Sequence, residues 1–253
     1  MGAEDLNSRP PVLLAAPYTL YAATVFTVLS IVVLLVLLLL PGLERRRRLV
    51  RGGARLALAL MGQRVRLQHA DALPAVACVV VVNHTSYLDG VVMTAALPAR
   101  FGFVIKREMD AVPLANLLLR RIGAEFVDRG RTQRSARDAR RLLRAAHGSA
   151  AMVFFPEGTF GSVPGLLRFH SGAFVFAVRA GLPVVPVALR GTRRALAPGG
   201  LLAWPARIDV EILEPIAPPT SEGEVAVPAL REAARAAILA RCCEPDRAND
   251  PPD

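Results

Sequence analysis

The chain has 253 residues, which is enough for one large α/β domain with a full core and a small appendage. Its hydrophobic fraction of 53% is high for a purely soluble protein, and 31 basic against 21 acidic residues give a net charge of +10. Three cysteines without metal-type spacing argue against a disulfide framework and against a zinc site, and they suit a reducing compartment.

The hydrophobic excess is concentrated near the N-terminus, where residues 10–43 contain no charged side chain. About 20 apolar residues suffice for a membrane-spanning helix, and Pro17 and Pro41 are predicted to bound it. A cleaved signal peptide would begin with basic residues, whereas residues 1–9 include two acidic ones, and the apolar run is too long. We therefore expect a retained membrane anchor, and a re-entrant hairpin or a helix lying in the membrane stays open as an alternative.

A strongly basic segment follows the apolar run directly. Residues 44–66 hold eight arginines and one glutamate, a net +7 of the total +10, and residues 45–48 are all arginine. Positive flanks stay in the cytoplasm, so the sequence predicts a domain on the cytoplasmic side of the cell (inner) membrane, held by a single N-terminal anchor. The same arginines would attract anionic membrane lipids. A nucleic-acid partner is not expected, because the charge lies beside the apolar run without interleaved aromatic residues.

Beyond residue 66 the hydrophobic pattern alternates between short strands and helices. Strands are predicted at 76–82, 101–105, 125–127, 151–155, 184–189 and 208–213, and helices at 89–97, 113–122, 132–147, 172–180 and 228–242. Such alternation indicates the α/β class, with a central sheet that carries helices on both faces. The predicted domains are a tail with the membrane anchor (1–43), a basic juxtamembrane segment (44–66), a folded domain (67–243) and a disordered tail (244–253).

The segment Asn83-His84-Thr85-Ser86-Tyr87-Leu88-Asp89 follows four consecutive valines, the pattern of a buried strand. In α/β folds, ligand sites gather at the carboxyl ends of strands. The spacing can bring Asp89 back to His84, so that one ring nitrogen is held and the other faces a substrate. A His-x4-Asp spacing also arises by chance, so the pair needs support from other strand ends.

Polar residues follow two further predicted strands. Glu157 stands between Pro156 and Gly158 after one of them, although an isolated Pro-Glu-Gly is more often a tight turn with a solvated glutamate. Arg129 follows Asp128 after the other, where it could bind a phosphate bidentately or be one more surface arginine.

Lys106 comes directly after the predicted strand at 101–105. It is the only lysine among the 31 basic residues of a chain that otherwise uses arginine. This bias suggests that a compact ammonium group is needed at a strand end, although a single remaining lysine is also compatible with chance.

Taken together, these segments resemble the lysophosphatidic acid acyltransferase family, that is, 1-acyl-sn-glycerol-3-phosphate acyltransferases and related phospholipid acyltransferases. The resemblance covers about residues 76–213 and keeps the family's order of sequence blocks. The His-x4-Asp segment looks like the first block, and the other similar stretches are 123–129, 155–159, 182–187 and the Lys-x-Glu-Leu-like 106–109.

The resemblance implies a glycerolipid-acyltransferase-like fold and an enzyme of phospholipid biosynthesis. His84 would be the general base on an acceptor hydroxyl, Asp89 would fix its tautomer, and the hydroxyl would attack an acyl thioester of coenzyme A or acyl carrier protein directly. The acceptor would be a lysophospholipid, in the first place 1-acyl-sn-glycerol-3-phosphate, and neither a bound cofactor nor a metal is expected. The residues expected to bind the acceptor are Lys106, Arg129, Glu157, Gly158 and Thr159, and the supporting residues are Asn83, Asp128, Pro156 and Pro186.

The chain departs from the family's pattern where the acceptor head group is expected. The third block usually continues with Arg-Ser, whereas residues 160–161 are Phe-Gly, and a common Phe-Lys-x-Gly is replaced by Phe-His-Ser-Gly at 169–172. Arg168 or His170 could restore the charge, but another lyso-lipid, an aminoacyl-lipid acceptor or a non-catalytic lipid-binding protein stays open. Ser86 stands close to the histidine of the first block, so a serine nucleophile is the rival mechanism.

Overall fold

Residues 12–127, 151–218 and 226–250 are described by the structure, a computed structural model. The strands in this part of the chain are β1 (Arg64–Gln68), β2 (Val79–Val82), β3 (Phe101–Lys106), β4 (Glu125–Val127), β5 (Ala151–Phe154), β6 (Leu166–Leu167), β7 (Val184–Arg190), β8 (Arg207–Ile212) and β9 (Asp246–Arg247). The α-helices are α1 (Val12–Leu39), α2 (Leu43–Leu60), α3 (Asp89–Ala96), α4 (Pro113–Arg121), α5 (Gly172–Ala180), α6 (Thr192–Ala195) and α7 (Ala226–Cys242).

Seven of these strands form one mixed sheet in the order β1-β8-β7-β2-β5-β3-β4. The five strands from β7 to β4 run parallel, β8 runs antiparallel to β7, and β1 pairs in parallel with β8. The carboxyl ends of the five parallel strands therefore meet at one edge, called the carboxyl edge below. Helices cover both faces, and the predicted α/β class is confirmed. The sequence prediction missed β1, although its alternation of polar and apolar residues is the pattern of a half-buried strand.

Strand β2 is shared by the two apolar cores of the molecule. Val80 and Val82 belong to the core that includes residues of α2 and α3, whereas Val79 and Val81 belong to the core with residues of α5 and α7. Alternate side chains of a strand point to opposite faces, which explains why this strand is an unbroken run of valines. Burial of each valine stabilises the fold by roughly 1.5–3 kcal/mol. The end of β2 is therefore a firmly held point of the sheet.

Helix α1 folds back on α2 instead of standing apart from the domain. The hydroxyl of Tyr18 donates to the carbonyl of Met61 (2.6 Å) near one end of the pair, and Leu37 shares an apolar cluster with Val50 near the other. Pro17 lies inside α1, so the prediction that it bounds the helix is wrong. A proline this near the start of the described helix removes one backbone hydrogen bond without ending the helix.

Most of the surface that α1 turns away from α2 is apolar and exposed. Among the described residues, α1 is the one helix whose length and composition fit a membrane span, with a mean hydropathy of 2.9 over Ala15–Leu39. A buried core helix can have the same composition, but only 17% of the most apolar stretch is buried here. The large exposed apolar residues of α1 are Leu20, Tyr21, Phe26, Val28, Ile31, Val32, Leu35, Val36, Leu38 and Leu39.

Several arginines of the basic segment bind backbone carbonyls within the domain. Arg47 of α2 donates to the carbonyl of Ile122 (2.8 Å), and Arg55 donates to that of Ala95 (2.8 Å) in the last turn of α3. Residues 64–66 form the first part of β1, so the predicted boundary between residues 66 and 67 falls inside a strand. Part of the basic segment therefore stabilises the fold and is not reserved for lipids.

The predicted disorder of the tail at 244–253 is wrong for its described residues, which reach position 250. β9 pairs in parallel with β6, and Oδ1 of Asp246 lies 2.5 Å from Nη2 of Arg235 on α7. The composition of the tail misleads because its partners lie elsewhere in the chain. The helix predicted at 132–147 lies outside the described residues.

Candidate active site

His84 lies in the loop between β2 and α3, at the carboxyl edge of the sheet. Its Nδ1 lies 2.7 Å from Oδ2 of Asp89, the first residue of α3, whose carboxylate is fully buried. The same oxygen accepts the backbone N–H groups of Thr85 (2.6 Å) and Ser86 (2.9 Å). A carboxylate in this position keeps the proton of a neutral imidazole on Nδ1, which leaves Nε2 as the basic nitrogen. The structure thus brings together the two residues predicted to be catalytic.

Aromatic rings surround the imidazole. The ring of Phe155 stacks on it at 4.4 Å between centroids, and Phe160 meets it edge-on at 4.3 Å. Tyr87 in turn contacts Phe160 at 4.8 Å. The side chain of His84 is 19% exposed, so the imidazole is reachable but largely shielded from water. Sequence reasoning missed this enclosure, although the Phe-Gly at residues 160–161 had marked a departure from the family's pattern.

The loop around His84 is fixed by side chains that bond to the end of β7 and to the residues that follow it. The amide of Asn83 both donates to the Leu189 carbonyl (2.8 Å) and accepts its N–H (2.7 Å). The hydroxyl groups of Thr85 and Thr192 lie 2.9 Å apart and are buried. Asn83 therefore extends the pairing of β2 with β7 through its side chain.

Ser86 is placed to support the loop and not to attack a substrate. Its hydroxyl donates to the carbonyl of Leu196 (2.7 Å) and accepts the N–H of Leu88 (3.2 Å), and the residue is fully buried. Since Asp89 already holds Nδ1 of His84, this geometry does not form the Ser–His pair of a serine nucleophile.

Glu157 lies directly behind His84. Its Oε1 accepts the backbone N–H of His84 (2.6 Å), and its Oε2 accepts that of Leu167 (2.8 Å). The residue is 3% exposed, and burial raises its pKa to about 8 against the opposing effect of these two N–H donors, with the nearby Asp89 and Glu244 raising it further. Both carboxylate oxygens are used by the protein, so this geometry positions the His84 loop and does not offer the acceptor contact that the sequence predicts.

The neighbours of Glu157 form the turn that directs it inward. Gly158 has φ 79°, a left-handed conformation that favours glycine, and its N–H donates to the Phe155 carbonyl (3.1 Å). The carbonyl of Pro156 accepts the N–H of His170 (2.8 Å). Thr159 follows Gly158 and is half-buried. Pro186 lies in β7, opposite Val81 of β2, as a buried part of the sheet that supports the site.

Lys106, one of the two predicted phosphate ligands, belongs to the other half of the carboxyl edge, called the β3–β4 half below. Lys106 ends β3, its side chain is 50% exposed, and its Nζ lies 3.3 Å from Oε1 of Glu108. Parallel strands lie about 4.8 Å apart, so β3 is about 10 Å from β2. Asp128 and Arg129 follow β4 in sequence and lie outside the described residues. Among the described residues, no group of three or more His, Cys, Asp or Glu side chains could hold a metal ion.

Comparison with known proteins identifies the family of the chain. Residues 64–190, half of the chain, match the family model named Acyltransferase. The chain is 32% identical over 192 residues to a 1-acyl-sn-glycerol-3-phosphate acyltransferase alpha of Mus musculus, covering 71% of this chain and 64% of the relative. It is 29% identical over 136 residues to a 1-acyl-sn-glycerol-3-phosphate acyltransferase of Haemophilus influenzae, covering 53% and 55%.

The fold has a solved counterpart. The crystal structure of the 1-acyl-sn-glycerophosphate (LPA) acyltransferase PlsC from Thermotoga maritima superposes with a TM-score of 0.74 at 22% identity, covering 89% of this chain and 95% of that one. The chain belongs to the Acyltransferase family, and the resemblance stated from its sequence blocks is confirmed. It spans between about a third and two thirds of the length of the first curated relatives that it matches.

Proposed function

We propose that this protein transfers an acyl group from an acyl thioester, acyl-CoA or acyl-ACP, to the free hydroxyl of a lysophospholipid. The acceptor proposed in the first place is 1-acyl-sn-glycerol-3-phosphate, which gives phosphatidic acid. The observation that carries the proposal is the His84–Asp89 pair, in which a buried carboxylate holds Nδ1 at 2.7 Å and leaves Nε2 for proton transfer. The names of the relatives support the choice of acceptor.

In this mechanism Nε2 of His84 takes the proton of the acceptor hydroxyl as its oxygen attacks the thioester carbonyl carbon. The tetrahedral intermediate then collapses, the C–S bond breaks, and the proton on His84 passes to the leaving thiolate. Asp89 stabilises the imidazolium that exists between these two steps. Transfer is direct, without an acyl-enzyme, and the occupied hydroxyl of Ser86 supports this assignment.

We assign the phosphate of the acceptor to the β3–β4 half of the carboxyl edge. Lys106 ends β3, and Arg129, two residues after β4, would bind the same phosphate bidentately. Gly158 and Thr159 would line the pocket between this half and His84. A different lyso-lipid is the second candidate acceptor, because Phe160 presents an aromatic ring at the position where the family usually has arginine, and aromatic faces attract cationic groups.

A panel of acceptors tests the proposed function. The purified full-length chain in mixed micelles is given acyl-CoA or acyl-ACP with lyso-lipids that carry phosphate, choline, ethanolamine, glycerol or aminoacyl head groups, and products are measured by mass spectrometry. We expect lysophosphatidic acid to give the highest kcat/KM. His84→Ala should lower kcat by roughly 10²–10⁴-fold, the usual contribution of a general base.

The matched control is His69→Asn, which changes an exposed histidine at φ 53°, where asparagine is well tolerated. Full activity of His84→Ala would overturn the mechanism. Folded wild-type protein that acylates none of the acceptors would instead support a non-catalytic lipid-binding protein. A choline or aminoacyl lipid as the best acceptor would overturn the assignment of 1-acyl-sn-glycerol-3-phosphate.

We further propose that α1 lies in the plane of the cytoplasmic face of the cell membrane. Both ends of α1 contact the domain: Tyr18 donates to Met61, and Arg121 of α4 donates to the carbonyl of Leu38 (3.0 Å). A spanning helix would carry one end about 30 Å away from the domain. Lipid chains would cover the exposed apolar surface of α1, and the net charge of +10 favours an anionic surface.

The loop at 197–206 would extend this membrane contact. Leu201 is 88% exposed, and the N–H of Ala203 donates to Oγ1 of Thr19 on α1 (2.9 Å). Trp204, the only tryptophan of the chain, packs edge-on against Tyr18 at 6.1 Å. Anionic vesicles with brominated acyl chains should therefore quench the fluorescence of Trp204.

The double variant Leu201→Ser with Leu202→Ser should reduce this quenching and weaken binding to the vesicles several-fold. Val76→Ser, which removes an apolar side chain that is 67% exposed before β2, is the control and should leave both unchanged. Equal quenching in the wild type and the double variant would contradict contact between this loop and the bilayer.

A further inference from the structure

An ion pair joins the C-terminal segment, defined here as residues 244–247, to α7 and β6. The carboxylate of Asp246 accepts from both terminal nitrogens of Arg235, at 2.5 and 3.3 Å. Arg235 is 6% exposed and also donates to the carbonyls of Leu166 (2.7 Å) and Leu167 (3.0 Å). A buried guanidinium needs a carboxylate and several acceptors, and the C-terminal segment supplies the carboxylate.

The residues that Arg235 holds contact the loop of the proposed base through one intermediary. The N–H of Leu167 donates to Glu157 (2.8 Å), whose other oxygen accepts the N–H of His84 (2.6 Å). A continuous line of hydrogen bonds therefore runs from Asp246 through Arg235, the Leu167 peptide and Glu157 to the backbone of His84. Most of its members are buried, where hydrogen bonds are stronger than at the surface.

A second connection reaches the aromatic enclosure of His84. Nε of Arg193 lies 3.2 Å from Oε1 of Glu244, and Nη1 of Arg193 donates to the carbonyl of Gly161 (2.9 Å). Gly161 directly follows Phe160, whose ring contacts that of His84. The same C-terminal segment is thus connected both to the backbone of His84 and to an aromatic ring that contacts its imidazole.

We propose that residues 244–247 position the catalytic loop, with Asp246 and Arg235 acting through Glu157 on the backbone of His84, and with Glu244 and Arg193 acting through Phe160. The proposal rests on the proposed role of His84 as base. These four charged residues touch no reacting atom, so they are positioning residues. Their contribution is the alignment of Nε2 with the acceptor hydroxyl, which affects turnover more than substrate binding.

The test is Asp246→Ala in the full-length chain, with Glu232→Ala as the matched control. Glu232 lies on α7 like Arg235, but its carboxylate is 60% exposed and pairs with the neighbouring Arg231 (2.9 Å). We expect Asp246→Ala to lower kcat about tenfold with both KM values changed less than about twofold, since a small misplacement of a base reduces the chemical step most. The imidazole signals of His84 in ¹⁵N NMR spectra, assigned with His84→Ala, should shift in Asp246→Ala and stay in place in the control.

Asp246→Asn keeps the size of the side chain and some of its hydrogen bonds, so it should restore part of the lost kcat. It also serves as the test if Asp246→Ala fails to fold. Wild-type kcat and unshifted His84 signals in a folded Asp246 variant would overturn the proposal. If His84→Ala keeps full activity, the proposed function fails, while the His84 signals of the Asp246 variants still report whether the C-terminal segment positions the loop.

Discussion

The two halves of the carboxyl edge differ in how firmly their side chains are held. At the β2–β5 half, the loop of His84 bonds to Glu157 and to three positions between residues 189 and 196, over distances of 2.6–2.9 Å. At the β3–β4 half, the side chain of Lys106 is half exposed. Its Nζ lies 3.3 Å from Oε1 of Glu108, whose side chain is 69% exposed. Such a surface ion pair stabilises little.

The difference follows from what each half is proposed to do. Proton transfer requires a base within hydrogen-bonding reach and in the right orientation, so its loop must be fixed before the substrate arrives. An ammonium attracts a phosphate from any direction and over several ångströms, so a mobile lysine serves as well as a fixed one. Substitutions in the first half should therefore change turnover, and substitutions in the second half should change acceptor binding.

Among substitutions that keep the His84 imidazole, Asp89→Asn should have the largest effect. The amide of asparagine favours the wrong tautomer of His84, and it disturbs the hydrogen bonds that Oδ2 of Asp89 accepts from two backbone N–H groups. We therefore expect kcat to fall about 10³–10⁴-fold. Steady-state kinetics of the variant measure this loss, with the exposed Asp71→Asn as control. A loss of less than about tenfold would show that turnover at the β2–β5 half does not depend on the His84–Asp89 pair.

Glu157→Gln should change the pH dependence of stability. The folded state raises the pKa of Glu157 from 4.5 to about 8, so it binds more protons than the unfolded state between these values. The free energy of unfolding of the wild type should thus decrease, relative to the variant, as the pH rises from about 5 to 8.5, by an amount on the order of a few kcal/mol. Denaturant unfolding of the wild type and of Glu157→Gln at these two pH values measures this decrease. The same difference in unfolding free energy between the two proteins at both pH values would contradict the raised pKa of Glu157.

Lys106→Ala should raise the acceptor KM about tenfold and change kcat less than about threefold, as expected for lost ground-state binding of a phosphate. Arg179→Ala is the control, because it removes an exposed positive charge at the end of α5, next to the opposite edge of the sheet. A fall in kcat with an unchanged KM would mean that Lys106 acts in the chemical step, which would remove the distinction between the halves.

Ser86→Ala should have the smallest effect on activity. The variant loses the hydrogen bond to Leu196, so we expect lower stability, by about 1–2 kcal/mol, and a kcat within about tenfold of the wild type. A serine nucleophile would instead lose about 10⁶-fold. Thermal unfolding and initial rates of the same preparation separate these two outcomes.

Local patterns predict the central strands and the return of Asp89 to His84, but singling out this pair as a site takes the other strand ends and the family resemblance as well. The valine run predicts β2 because a strand buried on both faces needs an apolar side chain at every position, and a short loop returns Asp89 to His84. Features that depend on distant partners were not predictable in this way. Glu157 looked like a substrate ligand because its bond to the backbone of His84 joins residues 73 positions apart.

The same reason explains the wrongly predicted disorder of the tail and the unpredicted packing of α1 on α2. The tail was predicted to be disordered from its composition, whereas its contacts with β6 and Arg235 provide its structure. The apolar run of α1 predicts membrane association, but its length says nothing of how the helix packs on α2. In both cases the composition of the segment gives its polarity, whereas contacts with residues far away in the sequence determine its conformation.

The spacing of the bonds around His84 also has a consequence for synthesis of the chain. The partners that fix its loop lie 73 to 110 residues further along the sequence. At about 5–20 residues per second, a ribosome needs roughly 5–20 s to add that length. The apolar segment of α1 leaves the ribosome before these partners do, so it should meet lipid before the loop of His84 has acquired its geometry. Delivery to the bilayer would then precede activity, and the nascent enzyme would be inert while it is being placed among its substrates.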